Sequence, residues 1–128
     1  MDYVVDTHAL VWYFLDDDRL SSDARAAIEE TVDSGEVIVP AVVLAEVMYI
    51  AEKGRVGLSF RKTLEEMESC QNFVVLPLDL GVLRATDQVR GDLEMHDRII
   101  VATARMRGAE LITCDQEIMD SGMIETIW

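Results

Sequence analysis

The sequence predicts an α/β protein: a three-layer α/β/α sandwich with a mainly parallel central sheet, spanning residues 1–128 as one domain. Two observations carry that prediction. Short apolar runs alternate with helix-period segments from one end of the chain to the other. The first run, Tyr3-Val4-Val5, stops on Asp6, and a helical pattern starts at Thr7; near the other end, Leu111-Ile112-Thr113-Cys114 stops on Asp115. Strands buried on both faces of a parallel sheet read as such continuous apolar runs, and their C-terminal ends are where open α/β folds put ligands. A chain of 128 residues, 50% hydrophobic, can bury the core this requires.

Taken in order, the first helix covers Thr7 to Leu15 and contains Trp12, Tyr13 and Phe14 in succession. Neighbours on a helix point about 100° apart, so three consecutive rings cannot share one core face. Two belong to the core and the third is a candidate contact for a partner or an RNA base. Asp16, Asp17 and Asp18 make an acidic turn. Ser21 or Ser22 caps a helix reaching Ser34, with Ala24, Ala27, Ile28 and Val32 inward and Gly35 ending it. The second strand is Glu36–Val39, closed by Pro40. The helix of residues 41–53 follows, and from Ala41 to Ala51 its one polar or charged residue apart from Tyr49 is Glu46. An ionised carboxylate buried alone is too costly to persist, so Glu46 meets a wet edge, an arginine or a metal ion; the metal is favoured here.

Leu58 to Cys70 reads as an amphipathic helix with Phe60, Leu64 and Met67 inward and Glu65, Glu66 and Glu68 solvated. Lys53, Arg55, Arg61 and Lys62 cluster about its start, a pattern that serves solubility first and phosphate contact second. The third strand is Phe73–Pro77, and Asp79 to Val89 is helical. The next helix begins at or just after Asp97, which suits its N-cap, with Glu94 and Arg98 spaced to pair. His96 is read as structural or exposed rather than as a ligand or base. The last strands are Glu110–Thr113 and Ile124–Trp128, separated by a short turn of helix.

Net charge is −14 and unevenly spread: −8 over residues 1–40, −2 over 41–110 and −4 over 111–128. That acidity permits a nucleic-acid partner only if some acids hold cations. No segment approaches the ~20 apolar residues of a membrane span, and Cys70 and Cys114 lack metal-type spacing. Both read as reduced thiols of a cytoplasmic protein without a membrane partner.

Asp6, Glu46, Asp97 and Asp115 are therefore expected to converge. Two unit charges about 4 Å apart repel by about 4 kcal/mol at an effective dielectric of 20, so such a site needs a cation or a proton. All-oxygen donors select a hard dication, Mg2+ or Mn2+.

Four blocks, VVDTHAL, PAVVLAEV, MHDRIIVATA and LITCDQEI, resemble the PIN-domain family in the same order and with fitting gaps. Within it, the VapC-like toxin ribonucleases of prokaryotic toxin–antitoxin pairs are the nearest resemblance. The family's acids map onto Asp6, Glu46, Asp97 and Asp115, and Thr113 matches the hydroxyl residue before the last acid that helps orient the site. The resemblance implies a Mg2+- or Mn2+-dependent endoribonuclease, an RNA substrate, a cognate antitoxin that blocks the site, and homodimerisation. Hydrolysis by in-line attack of water would leave 5′-phosphate and 3′-hydroxyl ends.

Three other readings remain open. A haloacid-dehalogenase-like phosphatase wants a second Asp where His8 stands. A response-regulator receiver could use Asp79 as phosphate acceptor but lacks its late lysine. A non-catalytic PIN-like binding module would keep the fold without the chemistry.

Overall fold

The structure, a computed structural model, describes residues 1–89 and 91–128. Five strands, β1 (Tyr3–Val5), β2 (Val37–Pro40), β3 (Phe73–Leu76), β4 (Glu110–Ile112) and β5 (Thr126–Ile127), form one sheet in the order β3-β2-β1-β4-β5. All four pairings are parallel. The helices are α1 (Thr7–Phe14), α2 (Ser22–Ser34), α3 (Ala41–Lys53), α4 (Phe60–Ser69), α5 (Leu80–Asp87), α6 (Met95–Arg107) and α7 (Gln116–Ser121). Parallel strands need crossovers, and each apolar run is accordingly followed by a helix.

The chain winds outward from β1 through β2 to β3, then returns to the far side of β1 with β4. The crevice between the C-terminal ends of β1 and β4 is thus the switch point where ligands bind in such sheets. Receivers place β3 beside β1, whereas here β1 lies between β2 and β4. Asp79, the acceptor a receiver would need, caps α5 by accepting the Val82 N–H at 3.0 Å.

The central strands are dry. Val4, Val5, Ile38, Leu111 and Ile112 are fully buried together with Leu10, Ile28, Ile100 and Ile118 from the helices. Helix α6 packs on β1 and β4, and α3 packs on α1 and α6. The three helices nearest the crevice are held against one another by this core.

Three local expectations are corrected. In α2 the buried stripe is Ala24, Ala27, Ile28 and Thr31, while Val32 is exposed. Thr31 is the inward residue because its hydroxyl donates to the Ile28 carbonyl and accepts from Asn72 Nδ2, so the polar group is satisfied where it is buried. Helix α6 starts at Met95, not at Asp97: Glu94 holds the N-cap position without a side-chain cap bond, and Asp97 sits in the first turn. Arg98 does not pair with Glu94. Its guanidinium donates to the carbonyls of Thr86, in the last turn of α5, and Val89, just beyond it, where a cation suits the negative end of the helix.

Candidate metal centre

The register of β1 against β4 pairs Val5 with Ile112, which brings Asp6 level with Thr113. The Asp6 N–H continues the ladder to the Ile112 carbonyl at 3.2 Å. Its carboxylate does two jobs: Oδ1 accepts the Ala9 N–H at 3.0 Å, capping α1, and Oδ2 accepts a short hydrogen bond from the Thr113 hydroxyl. The same hydroxyl accepts the Asp115 N–H at 3.0 Å, and the Asp115 carboxylate caps α7 through the Ile118 N–H at 3.1 Å. Both strand-end acids are therefore N-caps, a role that explains why helices begin beside them.

Thr113 is fully buried between these acids. Thr113→Val keeps the shape but strips one donor from buried Asp6 and orphans the Asp115 N–H. The variant is expected to lose about 2 kcal/mol of stability, read as a lower urea midpoint at unchanged m; Thr113→Ser should recover most of it.

The other two acids arrive on helices. Glu46 lies on α3, where Oε1 accepts from the Thr7 hydroxyl at 3.1 Å. Asp97 lies in the first turn of α6, with its side chain mostly buried and Oδ1 at 3.3 Å from His96 Nε2. His96 also lies 3.7 Å from Glu46 and 3.6 Å from Glu94. It is thus a part-exposed ring, as one expectation had it, but one set among three acids at the pocket.

All four expected acids line one pocket of about 310 Å³, together with Thr7, His8, Trp12, His96, Ile100 and Cys114. Among the described residues no lysine or arginine lines it, and Lys53, Arg55, Arg61 and Lys62 lie elsewhere. The four acids share the pocket without forming one tight knot. Among the described residues, the acid and histidine ligand atoms that all lie within 4.8 Å of one another are those of Glu94, His96 and Asp97.

Charge in this pocket is costly. Burial pushes the Asp6 carboxyl upward, with Asp115 adding to the rise and the bonds from Thr113 and Ala9 opposing it. Burial also pushes Asp97 up to about 6, helped by Asp115, Glu46 and Glu94 and opposed by His96. A pocket lined by four carboxylates, two of them (Asp6 and Asp97) raised by burial, offers the all-oxygen donors a hard dication fits. Asp6, Glu46, Asp97 and Asp115 are the residues that could hold it.

The Asp97 shift has a sign that can be checked. An unfolded aspartate titrates near 3.9. Between about pH 4 and pH 6 the folded state keeps the Asp97 proton that the unfolded state has lost. Stability of the metal-free protein should accordingly fall as pH rises through that window. Melting temperatures in chelator from pH 4 to pH 8 should show the fall; Asp97→Asn should lessen it, with the raised Asp6 carboxyl keeping the remainder.

Sequence reasoning passed over His8. It is exposed, lines the pocket and sits one helical turn before Trp12, with ring centroids 5.5 Å apart. The i,i+4 spacing of two rings directly after the strand-end acid was the available signal. Of the three consecutive rings, Tyr13 and Phe14 both pack on Phe73 while Trp12 faces the pocket.

The class the fold and site define is a doubly wound α/β domain with an acid-lined pocket at its switch point. The PIN domain family model matches residues 3–121, and the chain belongs to that family. Solved structures share the fold. A chain of the VapBC2 complex of Rickettsia felis, bound to a DNA fragment from its promoter, superposes with a TM-score of 0.75 at 14% identity, over 99% of this chain and 98% of that one. A toxin–antitoxin complex from Klebsiella pneumoniae gives 0.70 at 20% identity, covering 98% and 96%. VapC20 of Mycobacterium tuberculosis, a sarcin-ricin loop cleaving toxin, gives 0.66 at 17% identity, covering 96% and 97%. By sequence alone, no curated protein matches the chain.

Proposed function

We propose that this PIN-domain protein is a Mg2+- or Mn2+-dependent endoribonuclease, the toxin of a type II toxin–antitoxin pair. The observation that carries the reading is the pocket at the β1/β4 switch point. Acids from four separate parts of the chain line it, and among the described residues no lysine or arginine does. Solved relatives of the same fold include toxin–antitoxin complexes and a toxin that cleaves the sarcin-ricin loop, which supports the class of activity.

A bound dication would neutralise the charge on the reacting phosphate and make water acidic enough to attack it. The chain's own residues supply the placement. Thr113 aims Asp6 and orders the backbone of Asp115. Thr7 fixes Glu46, and His96 stands between Glu46 and Asp97. In-line attack of the water oxygen on phosphorus breaks the P–O3′ bond, and the released 3′-oxygen takes up a proton. The products carry 5′-phosphate and 3′-hydroxyl ends.

The partners of this reading are an RNA substrate, a cognate antitoxin that covers the pocket, and a second copy of the chain. Among the described residues no helix is long and apolar enough to cross a membrane, and the reading places the protein in the cytoplasm. End-labelled RNA incubated with the protein should be cut in Mg2+ and left whole in excess chelator, with the ends named above. Metal binding without any cleavage of a broad RNA mixture would instead mark a PIN-like binding module.

A further inference from the structure

The chain has two histidines and two tryptophans, and all four gather at this pocket. His8, His96 and Trp12 line it, and Trp128 packs behind Trp12 with centroids 5.7 Å apart and planes inclined at 59°. The Arg19 guanidinium lies 5.0 Å from the Trp12 ring and is itself held by Asp17 at 2.8 Å. The indole is thus fixed by packing, while His8, one turn before it, stands exposed.

We propose that His8 and Trp12 form a stacking wall for one unpaired nucleobase, seating its neighbouring phosphodiester over the carboxylates. The inference rests on the nuclease reading of the same pocket and names the part of the substrate it grips. Three physical points support it. A strongly acidic chain cannot hold RNA by phosphate attraction alone, so affinity must come from contacts indifferent to charge. Aromatic faces provide them, because every base has a π-face and stacking tolerates any sequence. A pocket of about 310 Å³ is at the small end of ligand sites, a size that suits one splayed nucleotide.

The test compares a fluorescein-labelled single-stranded oligoribonucleotide with an abasic ribose-phosphate oligomer of equal length. Anisotropy is read at low salt with Ca2+ in place of Mg2+. The intact RNA should bind about tenfold more tightly than the abasic one. His8→Ala and Trp12→Leu should each erase most of that ratio, and Trp12→Phe should keep most of it. If Trp12→Leu fails to fold, His8→Ala decides, since the exposed imidazole carries no core packing. Equal affinity for the two oligomers, or an unchanged ratio in a folded His8→Ala protein, overturns the proposal. Cleavage by the wild type in Mg2+ is scored in parallel. Cleavage without a base-dependent ratio removes the stacking wall alone, whereas a base-dependent ratio without cleavage removes the nuclease reading and leaves the wall.

Discussion

In Mn2+ at about a hundred times its dissociation constant, the protein is expected to melt about 10 °C higher than in chelator. A ligand at that excess, bound by the folded state only, stabilises it by about 2.7 kcal/mol, and each kcal/mol moves the midpoint by about 4 °C for a chain of this size. The origin is electrostatic. Burial and Asp115 raise the Asp6 carboxyl, and burial with three acidic neighbours raises Asp97. A dication removes that repulsion only where carboxylates face it. Asp6→Asn should abolish most of the rise. It should also fold, because an Asn side-chain oxygen can still accept the Ala9 N–H that caps α1. Glu94→Gln is the informative control, since Glu94, His96 and Asp97 alone among the described residues have their ligand atoms within 4.8 Å of one another. A full rise in Asp6→Asn with none in Glu94→Gln would move the ion to the rim and sink the proposed centre.

Asp97→Asn is expected to cut the RNA cleavage rate by about a thousandfold while leaving the fold intact. Asp97 would act through the cation it helps to hold, and losing one preorganised electrostatic group at a reacting centre costs about 10²–10³ in rate; Asp97 is mostly buried and next to Glu46 through His96. The same change should stabilise the metal-free protein above about pH 6, since it deletes a carboxylate that burial holds at a raised pKa. Activity and metal-free stability thus move in opposite directions, which an unfolded variant cannot imitate. Gel assays of labelled RNA and melting curves in chelator at pH 7.5 measure the two. A folded Asp97→Asn enzyme within tenfold of wild type would falsify the mechanism.

Much of the architecture was legible because it depends on local pattern. The strands Tyr3–Val5 and Glu110–Ile112 lie inside the sheet, and their buried residues (Tyr3, Val4, Val5, Leu111 and Ile112) stand in the sequence as short apolar runs. Glu46 stood out because a lone acid in an apolar helix demands a partner. Helix rotation was less legible. Thr31 rather than Val32 faces inward in α2, and that exchange depends on the amide of Asn72, forty-one residues away. The start of α6 was displaced because Asp97 is a good cap residue by type, yet its carboxylate is turned to the pocket instead.

By itself the order of residues determined that short buried strands would alternate with helices and that acids would terminate two of them, because burial and capping are decided by a residue and its near neighbours. Only the tertiary structure decided which side chains share the crevice. The parallel register of β1 on β4 puts Thr113 against Asp6, and the packing of α3 and α6 brings His96 between Glu46 and Asp97. Those meetings join residues up to 107 positions apart. Long-range contacts of that kind follow from sheet order and helix packing, which no local window of sequence contains.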